Sequence, residues 1–143
     1  MSTPTFVDTN VLAYAHDSSE TVRQPIARSL LEGLWQSGSG IISTQVLSEF
    51  YVVATRKFSP SMARGAARSI VDAYAAWPVV HVDPTLIVAA SALEERHQLS
   101  FWDALIIEAA HRGGAKRLVK EDLQGGQRIA GLVIENPFSP SRS

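Results

Sequence analysis

Short apolar runs alternate along the chain with longer segments in which apolar residues recur at helical spacing. The runs at residues 5–8, 40–43, 79–82, 117–119 and 132–135 predict buried strands. Strands that alternate with helices favour a parallel sheet covered by helices on both faces. We therefore expect one α/β layered fold rather than a helical bundle or an all-β protein.

Capping residues and glycines predict where the helices begin and end. Asn10 is expected to cap a helical turn through VLAYA, and the next helix is expected to begin at Ser19 and to end at the glycines at 38 and 40. Four further helices are predicted over residues 43–58, 59–77, 83–97 and 100–112. Each of these begins at a serine or aspartate of the kind that caps helix N-termini, with Thr44 as the alternative to Ser43 for the first of them.

Acidic residues follow two of the predicted strands. Asp8 ends the first strand, and Glu121 and Asp122 follow the fourth. The carboxyl ends of parallel strands share one edge of the sheet, so these acids are expected at the same edge. Two simpler roles stay open: Asp8 would cap the following helix, and Glu121 with Asp122 would form a polar turn.

Two more acids lie on the apolar faces of predicted helices. Glu49 shares a helix face with Val46 and Val53, and Asp103 lies within SFWDALIIEAA on a similar face. The alternative for Glu49 is a place at the edge of the apolar stripe, where it reaches solvent. The alternative for Asp103 is a capping box with the serine three residues before it.

Composition limits the possible classes of protein. The 143 residues suit a single domain, which we place at residues 1–137 with a flexible tail at 138–143. The chain has no cysteine, which excludes disulfides and thiolate metal sites, and no apolar run is long enough to cross a membrane. Since no basic, apolar leader begins the chain, a cytoplasmic location is expected.

The net charge of the chain and the repulsion between carboxylates limit what the acidic residues can do. The net charge of −1 gives no overall attraction to nucleic acid, so a polyanionic partner needs local basic clusters or a bound cation. Carboxylates gathered in one pocket repel one another and raise one another's pKa values. A hard divalent cation relieves this repulsion, and an all-oxygen site favours Mg²⁺ or Mn²⁺ over zinc.

Four segments together resemble the PIN-domain ribonucleases, and in size and layout the toxins of VapBC toxin–antitoxin pairs. These segments are FVDTNVL near the N-terminus, ISTQVLSEF, SFWDALII, and LVKEDLQ with the glycine-rich turn after it. The resemblance covers nearly the whole chain. It implies a three-layer α/β/α sandwich around a short, mostly parallel sheet of about five strands.

The resemblance also implies roles for individual residues. The acidic site would comprise Asp8, Glu49, Asp103 and Asp122. Asp8 and Asp103 would be the main ligands of Mg²⁺ or Mn²⁺, with some contacts passing through water. Glu49 would orient a water or bind a second cation, and Asp122 would be the fourth acid. Thr9 and Asn10 would lie in the wall of the site.

The chain departs from the family at Lys120. The family usually has serine or threonine two positions before the fourth acid, where this chain has lysine. This leaves open the second metal position and the choice between Glu121 and Asp122. The ammonium group would neutralise the acids, bind a substrate phosphate, or face solvent without a role.

The implied reaction is hydrolysis of an RNA phosphodiester bond, leaving a 5′-phosphate and a 3′-hydroxyl. The implied partners are an RNA substrate, a small antitoxin whose C-terminal segment occupies the cleft, and a second copy of the chain in a homodimer. The alternative function is that of a non-catalytic RNA-binding or protein-binding module. The amphipathic segment at residues 61–77 offers apolar surface to a partner, but burial in the core explains the same pattern.

Direct support for RNA binding is limited to basic and aromatic residues. The basic candidates for phosphate contacts are Arg56, Lys57, Arg64, Arg68, Arg112, Lys116, Arg117 and Lys120. Positions at solvent-exposed helix ends would explain these basic residues equally well. Trp102 would either stack on a base or lie in the core, and we expect the core. The four histidines, His16, His81, His97 and His111, are expected to be structural or on the surface.

Overall fold

The structure, a computed structural model, describes residues 2–122 and 126–139, and within them six strands form one sheet. The strands are β1 (Thr5–Val7), β2 (Gly40–Ser43), β3 (Val79–Val80), β4 (Arg117–Val119), β5 (Arg128–Ile129) and β6 (Leu132–Glu135). Their order across the sheet is β3-β2-β1-β4-β6-β5. Every pair is parallel except β5 with β6, which confirms the expected mostly parallel sheet.

The sixth strand, β5, was not expected from the sequence. It is two residues long and pairs antiparallel with β6 through a tight turn at Ala130 and Gly131, both of which have positive φ angles. Two residues are too few to show an alternating pattern. Turns of this kind favour hairpins because their twist matches that of the strands.

Six helices flank the sheet in the described residues. They are α1 (Thr9–His16), α2 (Arg23–Ser37), α3 (Thr44–Arg56), α4 (Arg64–Tyr74), α5 (Pro84–His97) and α6 (Phe101–Arg112). This arrangement is consistent with the three-layer sandwich implied by the resemblance. Within the described part of the chain, none of these helices has the length and apolarity needed to cross a membrane.

Three of the predicted helix caps are confirmed. Ser43 accepts a hydrogen bond from the backbone N–H of the third residue after it, and Asp83 and Ser100 do the same at α5 and α6. The prediction for Asn10 was wrong. The N-cap of α1 is Asp8, and its side chain makes no capping hydrogen bond, so that its carboxylate is available elsewhere.

Two helices begin later than predicted. α2 begins at Arg23 rather than residue 19, because the Asp17 carboxylate accepts hydrogen bonds from the backbone and side chain of Ser19 and holds a turn there. α4 begins at Arg64 rather than residue 59, after a segment whose Met62 N–H bonds to α3. Residues 140–143 of the predicted tail lie outside the described residues.

The sheet topology brings the ends of β1 and β4 together. The backbone N–H of Asp8 donates to the carbonyl of Val119 at 3.2 Å, so the chain segments that follow the two strands start side by side. The strands beneath are buried on both faces, with Phe6 and Leu118 at 0% exposure. Polar residues at these strand ends are therefore fixed by a rigid core.

Gly40, on β2, provides a test of how closely the core is packed. A Cβ atom at Gly40 would lie 2.6–2.7 Å from three ring carbons of Trp77, which is buried in the core. Gly40→Ala is expected to lower the free energy of unfolding by about 1–3 kcal/mol, as overpacked core substitutions do. Gly33→Ala is the matched control, because nothing lies near that position in α2; it should stabilise the chain by about 1 kcal/mol. Urea denaturation measures both, and equal effects would contradict the packing.

His16 makes the stability of the fold depend on pH. It is half-buried against the rings of Phe50 and Tyr74, and within the described residues its Nε2 has no hydrogen-bond partner. Burial, with a smaller effect of Arg28, lowers its pKa from 6.5. Just below pH 6.5 the unfolded chain therefore binds a proton that the folded chain does not, and stability falls as the pH falls through this window.

The effect of His16 is bounded by about 1.4 kcal/mol per pH unit for one proton. Urea denaturation between about pH 5 and about pH 7 should show a shallower slope in His16→Gln than in the exposed control His97→Gln. Identical slopes in the two variants would exclude His16 as the source.

Candidate functional site

The predicted acids meet in one pocket, of about 280 Å³, beyond the carboxyl ends of β1 and β4. Its polar lining is Asp8, Thr9, Asn10, Gln45, Glu49, Asp103, Lys120 and Asp122. We call this the acid pocket. All four acids, with Thr9 and Asn10, thus line the same pocket, and their roles stay a prediction.

Four separate elements bring the acids to this pocket. Asp8 connects β1 to α1, and Glu49 lies on α3. Asp103 is in the first turn of α6, where its N–H donates to the Ser100 hydroxyl at 3.1 Å. The capping interaction and the place in the pocket are therefore compatible, since the cap holds the first turn and its carboxylate still. Asp122 follows β4.

The ammonium group of Lys120 lies at the centre of the acids. Its Nζ atom is 2.8 Å from Asp8 Oδ2, 3.0 Å from Asp103 Oδ1 and 2.8 Å from Asp122 Oδ1. Lys120 is only 3% exposed. Of the three possibilities left open for this lysine, the solvent-facing one is wrong, and the ammonium group neutralises part of the acidic charge.

Burial and charge shift the pKa values of two groups in the pocket. Burial by itself would lower the pKa of Lys120, but the charge of Asp8 and the hydrogen bonds to the three aspartates raise it above its usual value. Burial also raises the pKa of Glu49, and the nearby charge of Asp8 raises it further. The Thr9 hydroxyl, which donates to Glu49 Oε1 at 3.1 Å, opposes that shift.

Glu121 and Asp122 lie in different networks. Glu121 accepts hydrogen bonds from the Tyr14 hydroxyl and, at 2.6 Å, from Arg23 Nε. Burial and the bond to Glu121 raise the pKa of Tyr14 to about 12. Asp122 instead contacts Lys120 and lines the acid pocket. The geometry therefore favours Asp122 over Glu121 as the fourth acid.

Trp102 does not lie in the core, and the expectation that it would was wrong. Its side chain is 64% exposed at the edge of the acid pocket, and its ring contacts Phe101. Asp103 lies on the face of α6 that is turned into the pocket. Trp102 is the residue before it, so its side chain points outward. An exposed tryptophan beside the acids is free to contact a ligand.

The basic residues divide into two groups. Arg112 pairs with Asp83 at 2.9 Å, Arg117 pairs with Glu135 at 3.3 Å, and Lys120 is held by the aspartates, so these three already have carboxylate partners. The exposed basic residues from the same prediction are Arg56, Lys57, Arg64, Arg68 and Lys116. A contact with phosphate by any of these residues stays a prediction.

One polar residue of the pocket was not predicted from the sequence. Gln45 lines the acid pocket one helical turn before Glu49 on α3. The spacing of four residues was visible in the sequence, because residues four apart share a helix face. Gln45 was not predicted because a neutral amide on a helix gives no charge signal.

The donor set fits a hard divalent cation by its chemistry, but the space between the donors is taken. Four carboxylates supply the oxygen ligands that Mg²⁺ and Mn²⁺ prefer. Over residues 2–122 and 126–139, however, no group of three acidic or histidine side chains is arranged around a cation position. The ammonium group of Lys120 lies between Asp8 and Asp103, so a metal held by these two acids would have to displace it.

Comparison with known proteins places the chain in a family. Residues 5–130 match the model of the PIN domain, so the chain belongs to the PIN-domain family. No curated protein sequence matches it.

Solved structures show the same fold at low sequence identity. The VapC20 toxin of Mycobacterium tuberculosis, described as cleaving the sarcin-ricin loop, is 24% identical, with a TM-score of 0.63 over 80% of this chain and 86% of that one. A toxin–antitoxin complex from Klebsiella pneumoniae is 18% identical, with a TM-score of 0.70 over 93% and 97%. A VapBC from Salmonella typhimurium, bound to DNA, is 18% identical, with a TM-score of 0.65 over 95% and 99%. These likenesses show that the chain shares the fold of such toxins.

Proposed function

We propose that the chain is an Mg²⁺- or Mn²⁺-dependent endoribonuclease and the toxin of a type II toxin–antitoxin system. The observation that carries the proposal is the convergence of three aspartates on one point. Asp8, Asp103 and Asp122 each lie within 3.0 Å of a single cationic atom, in a PIN fold. If the ammonium group moved away, these acids would supply oxygen ligands to a divalent cation beside a phosphodiester.

Asp8 and Asp103 are the proposed main metal ligands. Both are anchored: Asp8 by the buried end of β1, and Asp103 by the capped first turn of α6. Glu49 and Asp122 would contribute through water or directly. A bound Mg²⁺ or Mn²⁺ would supply a water of lowered pKa and would neutralise charge on the phosphoryl oxygens.

Glu49 is the proposed group that orients and deprotonates the attacking water. Its raised pKa makes its carboxylate a stronger base than that of an exposed glutamate. The hydrogen bond from Thr9 fixes Oε1 and leaves Oε2 free of that contact. Direct attack by water leaves a 5′-phosphate and a 3′-hydroxyl, and no histidine lines the described pocket to act as a base instead.

Trp102 is proposed to stack on a base next to the cleaved bond. Stacking on an aromatic side chain contributes about 1–3 kcal/mol per base. Trp102→Ala is therefore expected to weaken binding of single-stranded RNA about 5-fold to 150-fold. Because the ring is exposed, the free energy of unfolding should change little.

Fluorescence anisotropy of a labelled RNA measures the effect of Trp102→Ala, with EDTA present to prevent cleavage. Trp35→Ala is the control, since Trp35 lies in a different cluster against Tyr74 and Trp77. An equal loss of RNA affinity in both variants would remove the stacking role.

A protein partner is proposed for a groove between α3 and α4. Leu47, Tyr51, Val52 and Val71 line it together with Arg68. The similar structures from Klebsiella pneumoniae and Salmonella typhimurium are complexes with antitoxins, which supports an antitoxin as the occupant. A homodimer and a cytoplasmic location remain predictions.

An RNA cleavage assay tests the proposed function. Purified protein is incubated with RNA and Mg²⁺ or Mn²⁺, with and without EDTA, beside Asp103→Asn and the exposed control Asp72→Asn. Cleavage that EDTA stops and that only Asp103→Asn loses is the expected result. Equal cleavage by Asp103→Asn would reveal a contaminating nuclease and would contradict the proposal.

The position of Lys120 favours a second candidate, a non-catalytic PIN module. A pocket whose acids are already paired with an ammonium group needs no metal to be stable. This candidate predicts that RNA or a protein partner binds and that no RNA is cleaved at any concentration of Mg²⁺ or Mn²⁺.

A further inference from the structure

Lys120 is unusual both in its identity and in its position. The chain carries a lysine where the resemblance leads us to expect a serine or threonine. Its ammonium group is buried among three carboxylates that come from three separate segments of the chain. An ammonium group that makes three charged contacts at 2.8–3.0 Å takes the place of a bound cation in this pocket.

We propose that Lys120 is a built-in cation that competes with a divalent metal for the acid pocket, so that the metal binds only when the ammonium group leaves. The inference rests on the proposed function, because it concerns the same acids. It adds a regulatory element to them: the concentration of divalent metal sets the fraction of molecules whose pocket is available.

The two occupants would compete for the same carboxylate oxygen atoms. Lys120 Nζ bonds Asp8 Oδ2 and Asp103 Oδ1, the carboxylates proposed as main ligands. A magnesium ion lies about 2.1 Å from its oxygen ligands. An ion bound to these same two oxygens would fall against the ammonium group, and like charges at such a distance repel strongly in a buried pocket.

The lysine can move without unfolding the sheet. Its backbone N–H donates to the carbonyl of Glu135 on β6 at 2.9 Å, which holds the main chain in place. The ammonium group is at the end of a flexible four-carbon side chain. Of its three partners, Asp122 has the most exposed side chain, at 57%, so that the direction of exit is towards Asp122 and the mouth of the pocket.

The pocket needs one of the two cations. With Lys120 removed and no metal present, Asp8, Asp103 and Asp122 would face one another without compensation. The variant would then be less stable than the wild type in EDTA, and it would recover stability on addition of metal. The wild type, which carries its own cation, should respond weakly to the same treatment.

Two measurements without RNA test this inference. Mn²⁺ binding is followed by the electron paramagnetic resonance signal of the free ion, and thermal stability is measured in EDTA and in Mg²⁺. The variants are Lys120→Met, which removes the charge, Lys120→Arg, which keeps it, and Lys116→Met, an exposed lysine near the same strand, as the control. Lys120→Met is expected to bind Mn²⁺ at least about tenfold more tightly than the wild type.

Thermal stability gives the second readout. The melting temperature of Lys120→Met should fall in EDTA and rise with Mg²⁺, while the wild type, Lys120→Arg and Lys116→Met change little. If Lys120→Met folds only when metal is present, that also supports competition. Equal Mn²⁺ affinity in the wild type and Lys120→Met, or no Mn²⁺ binding by either, would overturn the inference. Since no RNA is involved, a failure of RNA cleavage alone would count against the proposed function and not against the competition.

Discussion

Asp8→Asn is expected to reduce RNA cleavage at least about 100-fold, the largest effect of any single substitution in the acid pocket. The side chain keeps its shape, but it loses the negative charge that holds a cation. Asp8 is 5% exposed at the end of a buried strand, so its side chain is held in place in the pocket. A neutral amide there also leaves Lys120 without one of its three carboxylates.

The control for Asp8→Asn is Asp72→Asn, which removes one negative charge from the exposed surface of α4. Initial rates of cleavage of a fluorogenic RNA are compared at equal concentrations of folded protein, verified by circular dichroism. A loss in Asp8→Asn alone is expected. If Asp8→Asn retained more than about a tenth of the activity while folded, the pocket would not be the site of cleavage.

Phe50→Ala is expected to have the largest effect on stability, lowering the free energy of unfolding by about 3–5 kcal/mol. Phe50 is fully buried on α3, where it packs against the ring of His16. It is also the residue next to Glu49, so the cavity would loosen the helix that carries this acid.

Val52→Ala is the control for Phe50→Ala, because Val52 lies on the same helix with 38% of its surface exposed. Its effect should stay below about 1 kcal/mol. Urea denaturation followed by circular dichroism measures both variants. A similar loss in the two would mean that α3 does not pack on the core through Phe50.

Local signals predicted much of the fold. β2, β4 and β6 match the predicted strands at residues 40–43, 117–119 and 132–135, because each is a short apolar run bounded by polar residues or glycine. The caps at Ser43, Asp83 and Ser100 were also readable, since a cap acts on residues only two or three positions away. β5 and the late starts of α2 and α4 were missed, because each depends on a turn or on contacts with another element.

The site was predictable in part. Asp8 and Asp103 stood out because an acid on an apolar element needs a compensating charge. Neutralisation by Lys120 was one of three possibilities that the sequence left open, because the distance between Lys120 and its three aspartates depends on how β4 lies beside β1. The exposure of Trp102 likewise depends on which face of α6 meets the sheet, and the residue type alone favours burial.

Anomalous diffraction from crystals of Lys120→Met and of the wild type, both soaked in Mn²⁺, tests whether the acid pocket binds a metal in competition with Lys120. We expect a manganese peak bounded by Asp8 and Asp103 in Lys120→Met, and the same peak in the wild type only where the Lys120 ammonium group has moved away. Carboxylates of Asp8, Glu49 and Asp103 that lie apart from one another, or manganese bound only elsewhere on the chain, would contradict it.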